Sequence, residues 1–225
     1  MVSHGSDGRR SYTPAMPAVQ RVVRGAMAIA TLYTLIWHFT NGEDDPTFDA
    51  VNFFSYFTIL SNIGAIILLG ALAIRPALVG VEGFVVFRGA VTLYMIITGI
   101  VYNVLLAPAS ADVNTNTQWV NFIVHVLGPI VVALDWFVYR SPIKPTVGQM
   151  ATWWIFPALY LIYTLIRGPF ADWYPYPFLD PNQKSVGAII GYCVGILVAF
   201  VLISTILRWW SGPPRRQRVP QPATA

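Results

Sequence analysis

The sequence contains few charged residues and almost no cysteine. Of its 225 residues only 11% are charged, whereas a soluble globular domain carries about a quarter. Cys193 is the one cysteine, which excludes a framework of disulfides within the chain. The two lysines, Lys144 and Lys184, stand in loops or at the ends of apolar runs, and this disfavours a pigment held through a lysine Schiff base.

Long apolar runs take the place of the missing charges. Hydrophobic residues make up 56% of the chain, more than a soluble core of this size could bury, so lipid is the expected solvent. A helix that crosses the hydrocarbon layer needs about 20 apolar residues. Six runs of suitable length are present, at 19–39, 51–74, 84–107, 118–139, 150–167 and 185–210. The sequence therefore predicts an all-α membrane protein with one six-helix transmembrane domain (19–210) and basic, disordered tails at 1–18 and 211–225.

The distribution of positive charge predicts the direction of the helices. With both termini in the cytoplasm, twelve of the fourteen Lys and Arg residues, including Arg24 and Arg88, belong to the inner side. Only Arg167 and Lys184 belong to the outer side. Cytoplasmic loops carry such an excess of positive charge, so we expect a multi-pass protein of the cell membrane with cytoplasmic N- and C-termini. The net charge of +4 then reflects a basic inner face, and no nucleic-acid partner is expected.

Polar residues within the predicted helices gather in the outer half of the membrane. Polar side chains are costly at this depth and usually face the bundle interior or a cavity. Counting from helix starts at positions 51 and 118, Thr58 and His125 both lie about 10 Å below the outer surface. The same half contains Asn62, Tyr102, Asn103, Tyr160 and Arg167. We therefore expect a polar pocket that opens toward the outer leaflet.

Thr58 and His125 would together form a nucleophile and its base. A threonine hydroxyl attacks an ester carbonyl when a neighbour accepts its proton, and a neutral imidazole suits that role. The resulting oxyanion needs hydrogen-bond donors. The candidate donors are Asn62, Tyr102, Asn103 and Tyr160. No carboxylate lies in the outer half of a predicted helix, so we expect a dyad without a buried acid, with its imidazole oriented by Asn103 or Asn121.

Some features keep two interpretations. Arg167 either binds an anionic lipid group or reaches up to the outer headgroups. The aromatic segment 168–181 is either a lid over the pocket or an interfacial anchor. Gly187, Gly191 and Gly195 recur at four-residue spacing, and we assign this stripe to close helix packing.

Short motifs across all six predicted helices resemble the Pr6Pr family of small bacterial membrane proteins. The motifs are Phe57-Thr58, Ser61-Asn62, Tyr94, Thr98-Gly99, Tyr102-Asn103, Asn121, His125, Pro129, Asp135-Trp136, Trp153, Pro157, 160–168, Tyr174-Pro175-Tyr176 and Phe178. This family is distantly similar to the eukaryotic androgen-induced and androgen-dependent integral membrane proteins, threonine hydrolases that cleave fatty acid esters of hydroxy fatty acids. The resemblance implies Thr58 as nucleophile and His125 as base. It also suggests an ester of a long-chain acid as substrate, with Arg167 on its carboxylate.

Other classes of function are less consistent with the sequence. No metal or cofactor is expected, because one buried histidine, one cysteine and no acid in the polar layer cannot supply a metal's ligands. A transporter would need an internal repeat, broken helices or a polar path to both sides, and no convincing repeat is present. His38 is either a helix end facing water or part of a proton path. A transporter and a non-catalytic lipid-binding or scaffold protein stay as alternatives. The expected partners are a lipid substrate and the membrane, with protein partners unknown.

Overall fold

Six long apolar helices make up most of the described part of the chain, as the sequence predicts. The computed structural model describes residues 18–42, 47–109 and 118–212, and no strand occurs among them. Six of its helices are long and apolar enough to cross a membrane. These spans, numbered one to six, are Ala18–Gly42, Phe57–Ile74, Glu82–Leu106, Gln118–Val138, Val147–Ala171 and Val186–Trp210. The predicted all-α, six-helix class is confirmed. The predicted tails lie outside the described residues, except at Ala18, Ser211 and Gly212.

Several spans consist of more than one helical piece. A short helix, Ala50–Phe54, precedes the second span, and the fifth joins Val147–Thr152 to Ile155–Ala171. The third span passes from the α-helix Glu82–Val101 into a π-helical turn, Tyr102–Leu106. The fourth consists of Gln118–Phe122, a π-helical turn at Ile123–Leu127 and Gly128–Val138. Short 3₁₀ turns lie at Pro76–Gly80, Ala107–Ala109 and Pro177–Leu179.

The third span lies at the centre of the bundle. It packs against the second, fourth and sixth spans, and Val85, Leu93 and Met95 on it are completely buried. Because six is an even number, span one begins and span six ends at the same end of the bundle, which we call the terminal end. The opposite end, where segment 172–185 connects spans five and six, is the loop end.

The sixth span exposes most of its apolar side chains, and its glycine stripe does not pack within the chain. A Cβ atom added to Gly187, Gly191 or Gly195 would meet nothing within 4 Å. The prediction that this stripe brings helices of the described chain together is therefore wrong. Close approach occurs instead at Gly89, where a Cβ would overlap the Trp153 ring.

A buried ion-pair network connects spans one, three and four near the terminal end. Nε of Arg24 lies 2.6 Å from Oδ1 of Asp135, and Nη2 of Arg88 lies 2.9 Å from Oδ2. Arg88 Nη2 also donates to the main-chain oxygens of Asp135 and Tyr139. The sequence places Arg24 and Arg88 among the charges of the inner face. In the structure both side chains are buried within their spans. Sequence reasoning missed the pairing since the partners are far apart along the chain.

Candidate functional site

Thr58 lies in the first turn of the second span. The sequence predicts one continuous helix from position 51, but the helix Ala50–Phe54 ends before Ser55 and a new helix starts at Phe57. Thr58 is therefore at the N-terminal end of a helix, not two turns inside it. The depth calculation from position 51 rests on a wrong boundary, although the pairing it suggested is present in the structure.

Tyrosine hydroxyls satisfy the backbone groups that this helix break leaves free. The first N–H groups of a helix have no partner within the helix. The Tyr160 hydroxyl donates to the Ser55 carbonyl at 2.9 Å and accepts from the Phe57 N–H at 3.3 Å. The Tyr176 hydroxyl accepts from the Thr58 N–H at 3.2 Å. Such partners allow an interrupted helix at membrane depth, because no backbone group may stay unsatisfied in hydrocarbon.

The side chains of Thr58 and His125 lie within hydrogen-bonding distance. Thr58 Oγ1 is 3.1 Å from Nε2 of the imidazole, and Thr58 is only 7% exposed. The other ring nitrogen, Nδ1, is buried and makes no hydrogen bond to a described side chain. When the ring proton is on Nδ1, Nε2 accepts the hydrogen bond from the Thr58 hydroxyl. That tautomer is the one a general base requires.

Tyr102 holds the plane of the imidazole. The rings of Tyr102 and His125 are stacked, with centroids 3.9 Å apart and an interplanar angle of 8°. Each of the two residues belongs to a π-helical turn, Tyr102–Leu106 or Ile123–Leu127. Such turns are rare and occur frequently at functional sites. Tyr102 thus positions the imidazole by ring contact, and the donor role predicted for it stays a prediction.

The two predicted asparagines bind main-chain oxygens beside the dyad. Asn62 Nδ2 donates to the Thr58 carbonyl at 2.9 Å and to a carbonyl of the fourth span at 3.2 Å. Asn103 Nδ2 donates to a carbonyl of its own helix at 2.8 Å and to the His125 carbonyl at 3.4 Å. Asn103 therefore contacts the backbone of His125 and not its ring. Oxyanion binding by either amide stays a prediction and requires exchange of one of these bonds.

Arg167 lies apart from the dyad. Its Nη2 donates to Asn52 Oδ1 at 2.7 Å, and its guanidinium is 5.4 Å from the centre of the Trp173 ring. These contacts connect the loop end of the fifth span to the helix Ala50–Phe54 and to the following loop. Both interpretations of Arg167, binding of a lipid anion and contact with the headgroup region, stay predictions.

Sequence reasoning did not include Tyr176 among the site residues. The segment around it was interpreted as a lid or an anchor, but Tyr176 and Phe178 are buried and their rings stack with centroids 5.2 Å apart. The Tyr176 hydroxyl lies 3.4 Å from Thr58 Oγ1. Burial raises the pKa of Tyr176, so the phenol keeps its proton at neutral pH. The one signal in the sequence was Tyr176's place in a motif of the resemblance, Tyr174-Pro175-Tyr176.

Fold and site together define an all-helical, multi-pass membrane protein with a threonine and a histidine paired near one end of the bundle. Around the pair lie Asn62, Tyr102 and Asn103, with Tyr160 behind the helix start and Arg167 more distant. Comparisons of the chain with family models, with curated proteins and with solved structures find no match. Membership in the family that the motifs resemble is therefore a proposal.

Proposed function

We propose that this protein is an intramembrane hydrolase of lipid esters, with Thr58 as nucleophile and His125 as general base. The observation that carries the proposal is the 3.1 Å distance between Thr58 Oγ1 and His125 Nε2. This distance is within the range at which a base accepts a proton from its partner. A weak nucleophile such as threonine depends on this kind of neighbour.

The proposed reaction has two halves. In the first, Oγ1 of Thr58 bonds to the ester carbonyl carbon while its proton moves to Nε2 of His125. The alcohol oxygen then leaves and takes the proton from Nε2. In the second half, water gives a proton to Nε2 and attacks the acyl group. The bond to Thr58 breaks, Oγ1 regains the proton, and the free acid leaves.

The start of the second span supplies donors for the oxyanion. The N–H groups at a helix start carry partial positive charge, and Thr58 lies in that first turn. The Tyr176 hydroxyl lies beside both the N–H and Oγ1 of Thr58. Preorganised donors usually contribute more than any other single effect to catalysis of this type. We add the Tyr176 hydroxyl to the donors suggested by the sequence, and also the Thr58 N–H, which must exchange its present bond to that hydroxyl.

Family, substrate and orientation complete the proposal. The residue motifs support membership in the Pr6Pr family and an ester similar to fatty acid esters of hydroxy fatty acids, with Arg167 near the free carboxylate. The positive charges of the sequence support a location in the cell membrane. They also favour a cytoplasmic terminal end and an external loop end.

A transporter is the second candidate, because the second span is interrupted before Phe57 and transporter sites often use broken helices. Below the dyad, however, Leu68, Leu69 and Leu72 fill the second span's side of the core. The polar layer therefore does not continue through this part of the bundle. This arrangement favours the hydrolase.

Labelling with a fluorophosphonate probe tests the proposal. The purified protein in detergent should react with the probe, and the variants Thr58→Ala and His125→Ala should not. Thr34→Ala is the matched control, because Thr34 is equally buried but bonds to the Ala30 carbonyl of its own helix. Size-exclusion profiles and melting curves should show that all variants are folded. Labelling that survives in Thr58→Ala would reject Thr58 as nucleophile, and solute flux in liposomes without ester hydrolysis would favour the transporter.

A further inference from the structure

A groove of about 230 Å³ lies between the third and fourth spans, and His125 is one of its lining residues. Its lining includes Gly99, Ile100, Ile130 and Ala133, and its accessible wall is apolar. Ile100 is 43% exposed and Ile130 is 50% exposed. Because these residues belong to membrane-spanning helices, the open side of the groove faces lipid.

Gly99 allows the third span to approach His125 at the part of the groove nearer the loop end. A Cβ atom at this position would lie 3.1 Å from Cβ of Pro129 and 3.3 Å from the main-chain oxygen of His125. Both distances are tighter than ordinary contacts, so a larger residue would push the third span away from the fourth. Because Gly99 has no side chain, the third span packs closely against the backbone of His125.

The groove follows the direction of the lipid tails. His125 and Ala133 are eight residues apart on the fourth span, which corresponds to about 12 Å of helix. The fourth span runs from the loop end, so the groove descends from the dyad toward the middle of the hydrocarbon layer, which is about 30 Å thick. A chain lying in it would be parallel to its neighbours in the bilayer.

We propose that this groove holds the acyl chain of the ester, which enters sideways from the leaflet at the loop end and brings its carbonyl to Thr58. The inference rests on the proposed hydrolase function. The bilayer supplies alkyl chains at this depth, and the wall exposes no polar atom that would select another occupant. The volume is below the roughly 300–1,000 Å³ of pockets for drug-sized ligands. The groove's length of about 12 Å along the fourth span suits part of one extended chain.

Chain-length specificity provides the first test. Ala133→Phe blocks the deep end of the groove, and the purified variant is assayed in nanodiscs with p-nitrophenyl butyrate and p-nitrophenyl palmitate. We expect the palmitate-to-butyrate ratio of kcat/KM to fall about tenfold or more, since one or two misplaced methylenes alter specificity by that order. Ala26→Phe makes the same change on an exposed face of the first span and should keep the wild-type ratio. An unchanged ratio in Ala133→Phe, with hydrolysis intact, would overturn the groove and leave the hydrolase standing.

Photocrosslinking separates the groove from the hydrolase. A palmitic acid that carries a diazirine near its methyl end should label peptides containing Ile130 or Ile96, which lie deeper in the groove, and Ala133→Phe should remove this label. The same label on Thr58→Ala shows that binding does not need the nucleophile. Groove labelling without any ester hydrolysis would retain the lipid site and reject the hydrolase. Equal labelling of the exposed sixth span would reject the groove.

Discussion

The two ends of the bundle both bury polar groups, but they do so in opposite ways. At the terminal end, charged side chains form short ion pairs, 2.6 Å from Arg24 and 2.9 Å from Arg88 to the two oxygens of Asp135. At the loop end, Thr58 meets neutral groups at 3.1 and 3.4 Å. A ring nitrogen of His125 there has no side-chain partner among the described residues.

This difference separates a structural from a chemical use of polarity. An ionisable residue inside a membrane protein is by default a candidate for function. Both oxygens of Asp135 are occupied, and a buried pair of this kind strongly resists loss of one partner. Thr58 and His125 can instead exchange a proton without breaking an ion pair, and a groove lies beside His125. We therefore expect substitutions at the loop end to reduce activity and substitutions at the terminal end to reduce stability.

The largest expected effect is on catalysis by Thr58→Ala. Ester hydrolysis should fall about 10⁴-fold or more, the order found when a hydrolase loses its nucleophile. The melting temperature should change little, because the alanine removes only a hydroxyl and a methyl group near the helix start. The assay measures kcat/KM on p-nitrophenyl esters beside Thr34→Ala. Comparable rates in Thr58→Ala and Thr34→Ala would show that Thr58 is not the nucleophile.

The next effect is on stability, through Asp135→Ala. The substitution leaves two buried guanidinium groups without their carboxylate, and breaking a buried pair in this way costs about 3–5 kcal/mol. Unfolding in mixed micelles measures the loss. Glu82→Ala is the control, since this exposed carboxylate accepts a hydrogen bond from Gln149 and its loss should cost less than about 1 kcal/mol. If Asp135→Ala kept the stability of the wild type but lost ester hydrolysis, the ion-pair network would have a catalytic role.

The smallest effect belongs to Tyr176→Phe. Removing this hydroxyl should lower kcat/KM about tenfold, the value of one hydrogen bond to a charged group. Burial disfavours the phenolate and raises the pKa of Tyr176 above its ordinary value, so the proton is present at every pH below about 10. The ratio of wild-type to variant kcat/KM should therefore be constant between about pH 6 and 9. A ratio that rises with pH would indicate that the phenolate is the active form.

The number of helices and their solvent were predictable from the sequence, because each depends on a local run of apolar residues. The runs at 84–107 and 118–139 match the third and fourth spans to within two residues at each end. The pairing of Thr58 with His125 was also suggested, from depth and from resemblance. The boundary of the second span was wrong, because no proline, glycine or charged residue in 51–60 marks the break.

Only the tertiary structure decided the remaining features. The break before Phe57 depends on hydroxyls of Tyr160 and Tyr176, more than 100 residues away along the chain. The burial of Arg24 and Arg88 depends in the same way on Asp135. A local pattern records how well a segment suits lipid, but a polar group in hydrocarbon is stable only when a partner arrives from another helix. That partner is a property of the packed bundle.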